Sequence, residues 1–432
     1  MFSLFNFKME YVCSFCNIFV YSEESGETRA GLKKGTKFEE VPDGWICPVC
    51  GKPKNYWKMI SSEEFKEKKK QYDKLYPLKD NTAEEITDYM YKARAMLPGT
   101  CSVNKVCDGH PDRLCMGLKY GRPIGFGGAG QGRTFTNNFK ALEKWKLKMK
   151  VIKKHKEPEF ETEFLRHKIK MPFLVSSMSG VKISMNDSIP EAEFQRGMIE
   201  GAKLFGTIGL SGNTVDFPEH PGIEIIKENK GWGIPVFKPQ SPEKLLQLFK
   251  RAEEADVIAI GVDLDGFGST NWELRGKPVY RKSEEELKEL VQSTKKPVIL
   301  KGIMTVEDAL KAVDSGAAAI DISNHGGRVM DSGLGVADVL PDIAKAVKQR
   351  NPKVIIMADG AVRSGFDILK LLALGADFVL AGRPLGRMAL AGGAKAVAKH
   401  LEFFMNGLRM AMIMTGCDNL KEINPDILIK YE

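Results

Sequence analysis

Eight short apolar runs, most of them stopping at a small or polar residue, pace the chain between residues 172 and 382, and they constrain its fold more than any other feature. They are PFLVSSMS (172–179), GTIGLSG (206–212), IPVFKP (234–239), DVIAIGVD (256–263), PVILKG (297–302), AAAIDIS (317–323), KVIIMADG (353–360) and DFVLAG (377–382). The intervening stretches mostly carry helix signals: SPEKLLQLFKRAEEA and SEEELKELVQST each open on a Ser suited to an N-cap. Residues 297–328 show the repeating unit most plainly, with a buried strand, a helix closed by Gly and a second buried strand in one parallel βαβ arrangement. Eight strands alternating with helices over about 260 residues predict a (β/α)8 TIM barrel. A doubly wound open sheet is the alternative, but it usually has fewer strands and a G-x-G-x-x-G turn after the first, which this chain lacks.

In a barrel the strand ends meet at one rim, and chemistry is placed there. The rim collects Ser177 and Ser179, Ser211, Lys238 and Gln240, Asp263 and Asp265, Lys301, Ser323 with His325 and Arg328, Asp359 to Arg363, and Gly382-Arg383. DGAVRSG follows the seventh strand and AGRP the eighth, where glycine-freed N–H groups, arginine and a helix start suit a phosphate dianion. A phosphate pocket beside Lys301 implies a phosphorylated cofactor. His325 shares its rim position with two cations and reads as functional, whereas His155, His167, His220 and His400 lie in charged or loop segments and read as solvated.

The N-terminal region follows another logic. Cys13, Cys16, Cys47 and Cys50 form two C-x-x-C pairs, each able to wrap a turn round a metal and offer two thiolates. Sulfur ligation alone allows zinc or iron. Tyr11, Phe15, Phe38, Trp45 and Trp57 are expected to pack as a small aromatic core on the site. The run GTKFEEVPDGWICPVCG closely resembles rubredoxin, which implies one iron on the four cysteines. Asn17 stands where rubredoxins usually have Gly, and Asn tolerates the positive φ such a turn needs.

Residues 61–80 are highly charged and read as a solvated helix or tether stopping at Pro77. A helix opened by Thr82 should follow, then Cys101, Cys107 and Cys115 with His110, at spacings that match no standard cluster and read as buried or loop cysteines. The glycine-rich GRPIGFGGAGQGRTF is placed over a phosphate or the barrel mouth, and Cys417 is a packed thiol. The domain reading is a rubredoxin-like domain over 9–60, a charged linker and Cys/Gly-rich segment over 61–134, and a barrel over 135–432.

Composition agrees with a globular chain, at 43% apolar and 28% charged residues. The net charge of +8 is spread among many Lys and Glu, with no basic block interleaved with aromatics, so a nucleic-acid partner is not expected. No apolar run reaches the roughly 18 residues of a membrane span. The apolar start MFSLFNFKM is too short for a leader and lacks a cleavage site, so a cytoplasmic location is expected.

Residues 135–425 resemble the FMN-dependent 2-hydroxy acid oxidase and dehydrogenase family, most specifically in ILKGIMTVEDALKAVDSGAAAIDISNHGGRVMD, ADGAVRSGFDILKLLALGADFVLAGRP and MTGCDNLKEI. The resemblance implies FMN, with His325 as active-site base, Asp263 orienting it, and Arg328 as the substrate-carboxylate ligand. Lys301 would stabilise negative charge near N1 and O2 of the reduced flavin, and Ser323 would contact the ring. Asp359, Gly360, Ala361, Val362, Arg363, Gly382 and Arg383 would hold the ribityl chain and phosphate, and Ser177, Met178, Ser179 and Ser211 fall on ring-contacting loops. The chain departs from the family pattern in several places. Gln240 stands where a substrate-binding tyrosine is usual, Lys238 where a flavin-contacting glutamine is usual, and DGFGSTNW holds no second carboxylate arginine. The expected function is oxidation of a small 2-hydroxy acid, with electrons passing from FMN to the iron and on to an external redox partner protein; a homo-oligomer is also expected. The alternatives are the same barrel run reductively on a 2-oxo acid or other acceptor, a flavin-bearing carrier without catalysis, or an enzyme similar to type 2 isopentenyl diphosphate isomerase.

Overall fold

The computed structural model describes residues 9–75 apart from 28–29, 31, 33, 43–44, 46 and 51, single positions between 85 and 96, residues 128–129, and 132–431 apart from 186, 216–219, 269–271 and 273–274. Cys101, Cys107, Cys115 and His110 lie outside the described residues. The chain divides into two compact units, Met1–Ala83 and Glu84–Glu432.

The first unit is a three-stranded antiparallel sheet, β1 (Glu10–Cys13), β2 (Val20–Ser22) and β3 (Trp57–Met59), in the order β2-β1-β3. Its core is aromatic. Tyr11 stacks on Phe38 with centroids 4.8 Å apart, and Trp45 meets Trp57 edge-on at 4.7 Å. Phe15 departs from expectation: it is 59% exposed, edge-on to Tyr56 under Lys52, because the metal turn that carries it points outward. Phe19 and Tyr21 fill the core in its place. Asn17 has φ +56°, as its turn requires. The expected helix forms over Ser62–Leu75, but it is docked rather than solvated all round. Helix α1 (Ser62–Leu75) packs on β1 and β2, burying Tyr72 edge-on to Phe19 and laying Phe65 against the same core.

In the second unit the described positions between 85 and 96 are helical; α2 (Arg133–Glu143) and β4 (Trp145–Leu147) come later, and β4 pairs with the C-terminal β15 (Leu428–Lys430). A hairpin follows, β5 (Thr162–Phe164) and β6 (His167–Ile169), and then the eight expected strands: β7 (Phe173–Met178), β8 (Gly209–Ser211), β9 (Ile234–Phe237), β10 (Ile260–Asp263), β11 (Val298–Ile303), β12 (Ala319–Ile322), β13 (Ile355–Ala358) and β14 (Phe378–Ala381). They close in sequence order into a parallel barrel, β14 pairing with β7. Caps fix the helix starts: Ser241, Ser283, Thr305 and Ser364 each accept a backbone N–H from the first turn.

Strand alternation divides two cores. Leu174, Leu210, Val236, Ile299, Ala319, Met357 and Leu380 fill the barrel, and Phe164 and Ile169 of the hairpin join that cluster. The alternate residues, such as Val175, Val262, Leu300, Ile320 and Ile322, face the helices. The inward-facing series continues beyond the aliphatic layers into Asp263, Lys301, Asp321 and Asp359 (two residues beyond Gly261, Ile299, Ala319 and Met357), so the pleat itself delivers ionisable groups to the rim.

His220 and His400 are not solvated. Both are buried; the His220 ring bonds Asn213, and His400 packs against Phe404 with centroids 4.7 Å apart. Charged neighbours Lys399 and Glu402 masked the fact that His400 shares the inner helix face with Val397, Leu401 and Phe404. His155 is exposed and His167 is half-buried, while Cys417 is a buried thiol. No described helix is long and apolar enough to cross a membrane.

Candidate active site

After β12 the backbone turns through the left-handed region, with φ of +57° at His325, +62° at Gly326 and +77° at Gly327. A histidine held there is strained by about 1 kcal/mol or more, which persists only where the surroundings over-determine it. They do so here. The His325 amide donates to Ser323 Oγ at 3.1 Å, and Asn324 Oδ1 accepts from the Gly327 amide at 3.1 Å. Asn138 of α2 exchanges two hydrogen bonds with Asn324, each 2.9 Å. At Gly327 a Cβ would stand 2.3 Å from the Phe135 amide nitrogen, so only glycine lets α2 lie this close. Ala129, at the described end of the glycine-rich stretch, donates to Gly327 O at 2.7 Å.

The imidazole sits between charges of both signs. His325 Nδ1 lies 3.0 Å from Asp265 Oδ1 and 3.4 Å from Asp263 Oδ1. Asp263 is the expected partner; Asp265, delivered by the turn Leu264–Gly268, stands nearer. Lys238 pairs with Asp263 Oδ2, and its Nζ is 3.5 Å from His325 Nε2. Burial works against the Asp263 carboxylate, but the His325 and Lys238 charges outweigh it and hold the group well below the usual range. Burial pushes Asp265 up, and the Asp263 charge adds to this, against His325. Burial also pulls His325 down, yet Asp263 and Asp265 win over burial and Lys238 and raise it above 6.5. Facing two carboxylates, Nδ1 carries a proton and donates, which leaves Nε2 with its lone pair toward the cavity.

Lys301 Nζ donates to Asp321 Oδ2 at 2.7 Å, Ser323 Oγ at 2.7 Å and Asp359 Oδ2 at 3.0 Å. Burial opposes its charge, but Asp321 and Asp359 keep it well above the ordinary lysine range.

Two adjoining cavities share Ser177, Met178, His325 and Arg328 as walls. One runs past Lys301 to the loop Asp359, Gly360, Ala361, Val362 and Arg363, and to Gly382 and Arg383. The other is lined by Ser179, Asn213, Lys238, Asp263 and Trp272. Arg328 Nη2 donates to Ser184 Oγ at 3.0 Å. Three expected residues stand elsewhere. Ser323 is fully buried behind the cavity wall, its Oγ bonded to Lys301 Nζ, Asp359 Oδ2 and the His325 amide. Ser211 is buried against Gly222, and Gln240 lines a neighbouring cavity, where its Nε2 donates to Asn213 Oδ1 at 3.1 Å.

The first cavity fits the ribityl-phosphate end of FMN. Gly326, Gly360 and Gly382 leave its walls bare; a Cβ at Gly326 would come within 3.0 Å of the Arg383 guanidinium, and one at Gly382 within 3.0 Å of Met178 Sδ. Arg383 donates to Gly326 O at 2.6 Å and lies 4.4 Å over the Phe135 ring, and Arg363 lies 5.1 Å over Phe139, so both guanidiniums are braced. Helix Arg383–Thr415 begins at this wall and adds its N-terminal amides. Asp359 Oδ1 is buried without a hydrogen-bond partner among the described residues, an acceptor suited to a hydroxyl.

In the first unit Cys13 Sγ lies 3.7 Å from Cys50 Sγ, and Cys16 Sγ 3.9 Å from Cys47 Sγ. A metal about 2.3 Å from four tetrahedral thiolates sets them about 3.8 Å apart, so the four match such an ion. Burial pushes the Cys13 and Cys47 thiols up, whereas at Cys50 the Lys52 backbone N–H and the neighbouring thiols outweigh burial and lower it.

Asp265 was visible as a rim residue without a role, and the alternation of AAAIDIS places Asp321 on the Lys301 face, a signal the motif at its end obscured. Asn138 carried no local signal, since its partner is 186 residues away.

Comparison with known proteins agrees with this geometry. Residues 125–283 and 277–430 match the model of the FMN-dependent dehydrogenase family, and residues 10–57 that of rubredoxin. An L-lactate dehydrogenase from Bartonella tribocorum is 47% identical over 135 residues, 31% of this chain and 34% of that protein. An L-lactate oxidase from Lacticaseibacillus rhamnosus is 28% identical over 68% of this chain and 86% of its own length. A solved structure of a flavocytochrome b2 variant with sulfite bound is 26% identical and superposes with a TM-score of 0.64, covering 80% of this chain and 86% of that one. The barrel implies FMN as its cofactor, the four-cysteine site implies iron, and the chain belongs to the FMN-dependent dehydrogenase family, with a rubredoxin domain preceding the barrel.

Proposed function

We propose that this chain oxidises a small 2-hydroxy acid to the 2-oxo acid and that the electrons pass from FMN to the iron of the rubredoxin domain. The observation that carries the reading is His325 set against two carboxylates, in the same cavity wall as Arg328. When bound, FMN supplies a two-electron acceptor and the iron a one-electron acceptor. The remaining work falls to side chains. Arg328 offers a guanidinium to the substrate carboxylate. His325 Nε2 takes the substrate proton, and Asp265 and Asp263 hold the imidazolium that results. Lys301 sets its ammonium on the cofactor side, held between Asp321 and Asp359.

Lys238 adds a second cation on the substrate side, near Nε2, which suits an anionic substrate and sets the chain apart from the family pattern. Substrate therefore enters between Arg328 and Lys238. The reading places the chain in the cytoplasm, where thiols stay reduced, as a homo-oligomer whose iron serves an external redox partner protein.

The experiment is anaerobic mixing of the FMN-loaded chain with a panel of small 2-hydroxy acids, followed by flavin absorbance. Bleaching by at least one is expected. Indifference to every acid would reject the reading in favour of the carrier or isomerase alternatives.

A further inference from the structure

Asp321 lies inside the barrel, fully buried, one position beyond Ile320 and two beyond Ala319. Its register partners are Lys301 on β11 and Met357 on β13. A carboxylate among aliphatic side chains is costly and persists only with compensation. Here Oδ2 accepts from Lys301 Nζ at 2.7 Å, and Oδ1 has no hydrogen-bond partner among the described residues. Lys301 does not need Asp321 to hold its place, because Ser323 Oγ and Asp359 Oδ2 already accept from it, at 2.7 and 3.0 Å. One ammonium thus faces two carboxylates, and ionised Asp321 turns a neutral Lys301–Asp359 pair into a cluster of net negative charge.

We propose that Asp321 acts through Lys301 as a charge compensator that lowers the reduction potential of bound FMN. This rests on the reading that Lys301 faces the flavin. A lone ammonium there favours the reduced ring, which carries more negative charge. Divided between two carboxylates, it offers little positive field in a low-dielectric interior, where each charge counts strongly. The bound cofactor is then a stronger reductant, the condition under which electrons run onward to a four-thiolate iron. Asp321 is a positioning residue: it sets the charge of the group that meets the cofactor.

The test is the FMN midpoint potential of the full-length chain, read by spectroelectrochemistry for wild type, Asp321→Asn and Asp321→Leu. Both substitutions remove the charge, and Asn keeps the shape. At equal FMN stoichiometry, each variant is expected to shift positive by at least tenfold in the reduction equilibrium, about 30 mV for a two-electron couple. A merely structural role leaves the potential in place. An unchanged or more negative potential in a variant that retains FMN overturns the proposal. Should both variants lose FMN, the wild type decides: a potential at or below that of free FMN in the same buffer supports the proposal, and one well above it overturns it. Failure of the underlying reading shows separately, as a wild-type chain whose flavin no 2-hydroxy acid bleaches whatever its potential.

Discussion

One imidazole, two carboxylates and an ammonium determine the residue-scale behaviour. Replacing the proposed base, His325→Ala, is expected to lower kcat by about a hundredfold to ten-thousandfold while FMN stays bound, measured by stopped-flow bleaching. The base must be neutral to act, and its surroundings raise it above 6.5, so kcat/KM should rise with pH through a limb lying above 6.5. The neighbours then push that limb in opposite directions. Asp265→Asn removes a carboxylate that raises His325 and should move the limb to lower pH; Lys238→Met removes a cation that lowers it and should move the limb higher. Shifts of the same sign in both variants would contradict this electrostatic account. The meeting of His325, Arg328 and Lys301 at one rim was legible because they lie on or just after the runs that form β11 and β12. The importance of Asp265 was not, because it depends on a short turn after β10 that folds the second carboxylate under the ring.

At the scale of elements, α2 clamps the turn that carries His325. Asn138→Ala would strip the Asn324 side chain of its paired hydrogen bonds in a buried site, a loss of about 1–3 kcal/mol in chemical denaturation. The helical stretch Arg383–Thr415, two helices that meet at Gly393, makes a different prediction. Burial pushes His400 down to about 3 and His220 down to about 4, so both stay neutral in the fold while the unfolded chain protonates near 6.5. The unfolded state binds more protons in that window, and stability should fall as pH drops from 6.5, by up to about 1.4 kcal/mol per pH unit for each group. His400→Leu should flatten the fall, as urea midpoints taken across the window would register; an undiminished slope would count against it. All eight barrel strands were legible from their apolar runs and stops. The hairpin β5–β6 was not, because its turn is built on Leu165 and Arg166 at φ +47° and +70°, residues that carry none of the usual turn chemistry.

For the whole molecule, two units carry two redox chemistries on separate motifs, and each was readable on its own terms. The knuckle spacing gave away the four-thiolate site, and the recurrent strand stops gave away the barrel. The docking of α1 was not readable, since two spaced aromatics, Phe65 and Tyr72, do the packing in an otherwise charged helix. Because the units fold round separate cores, Cys47→Ser should abolish iron binding while leaving FMN stoichiometry and flavin bleaching intact, checked by metal analysis and absorbance. The most direct test of the central claim is anaerobic rapid mixing of the fully loaded chain with a bleaching 2-hydroxy acid, recording flavin and iron absorbance together. The account predicts that the iron chromophore is lost after the flavin bleaches, at a rate independent of protein concentration. An iron centre that stays oxidised beside a fully bleached flavin would contradict it.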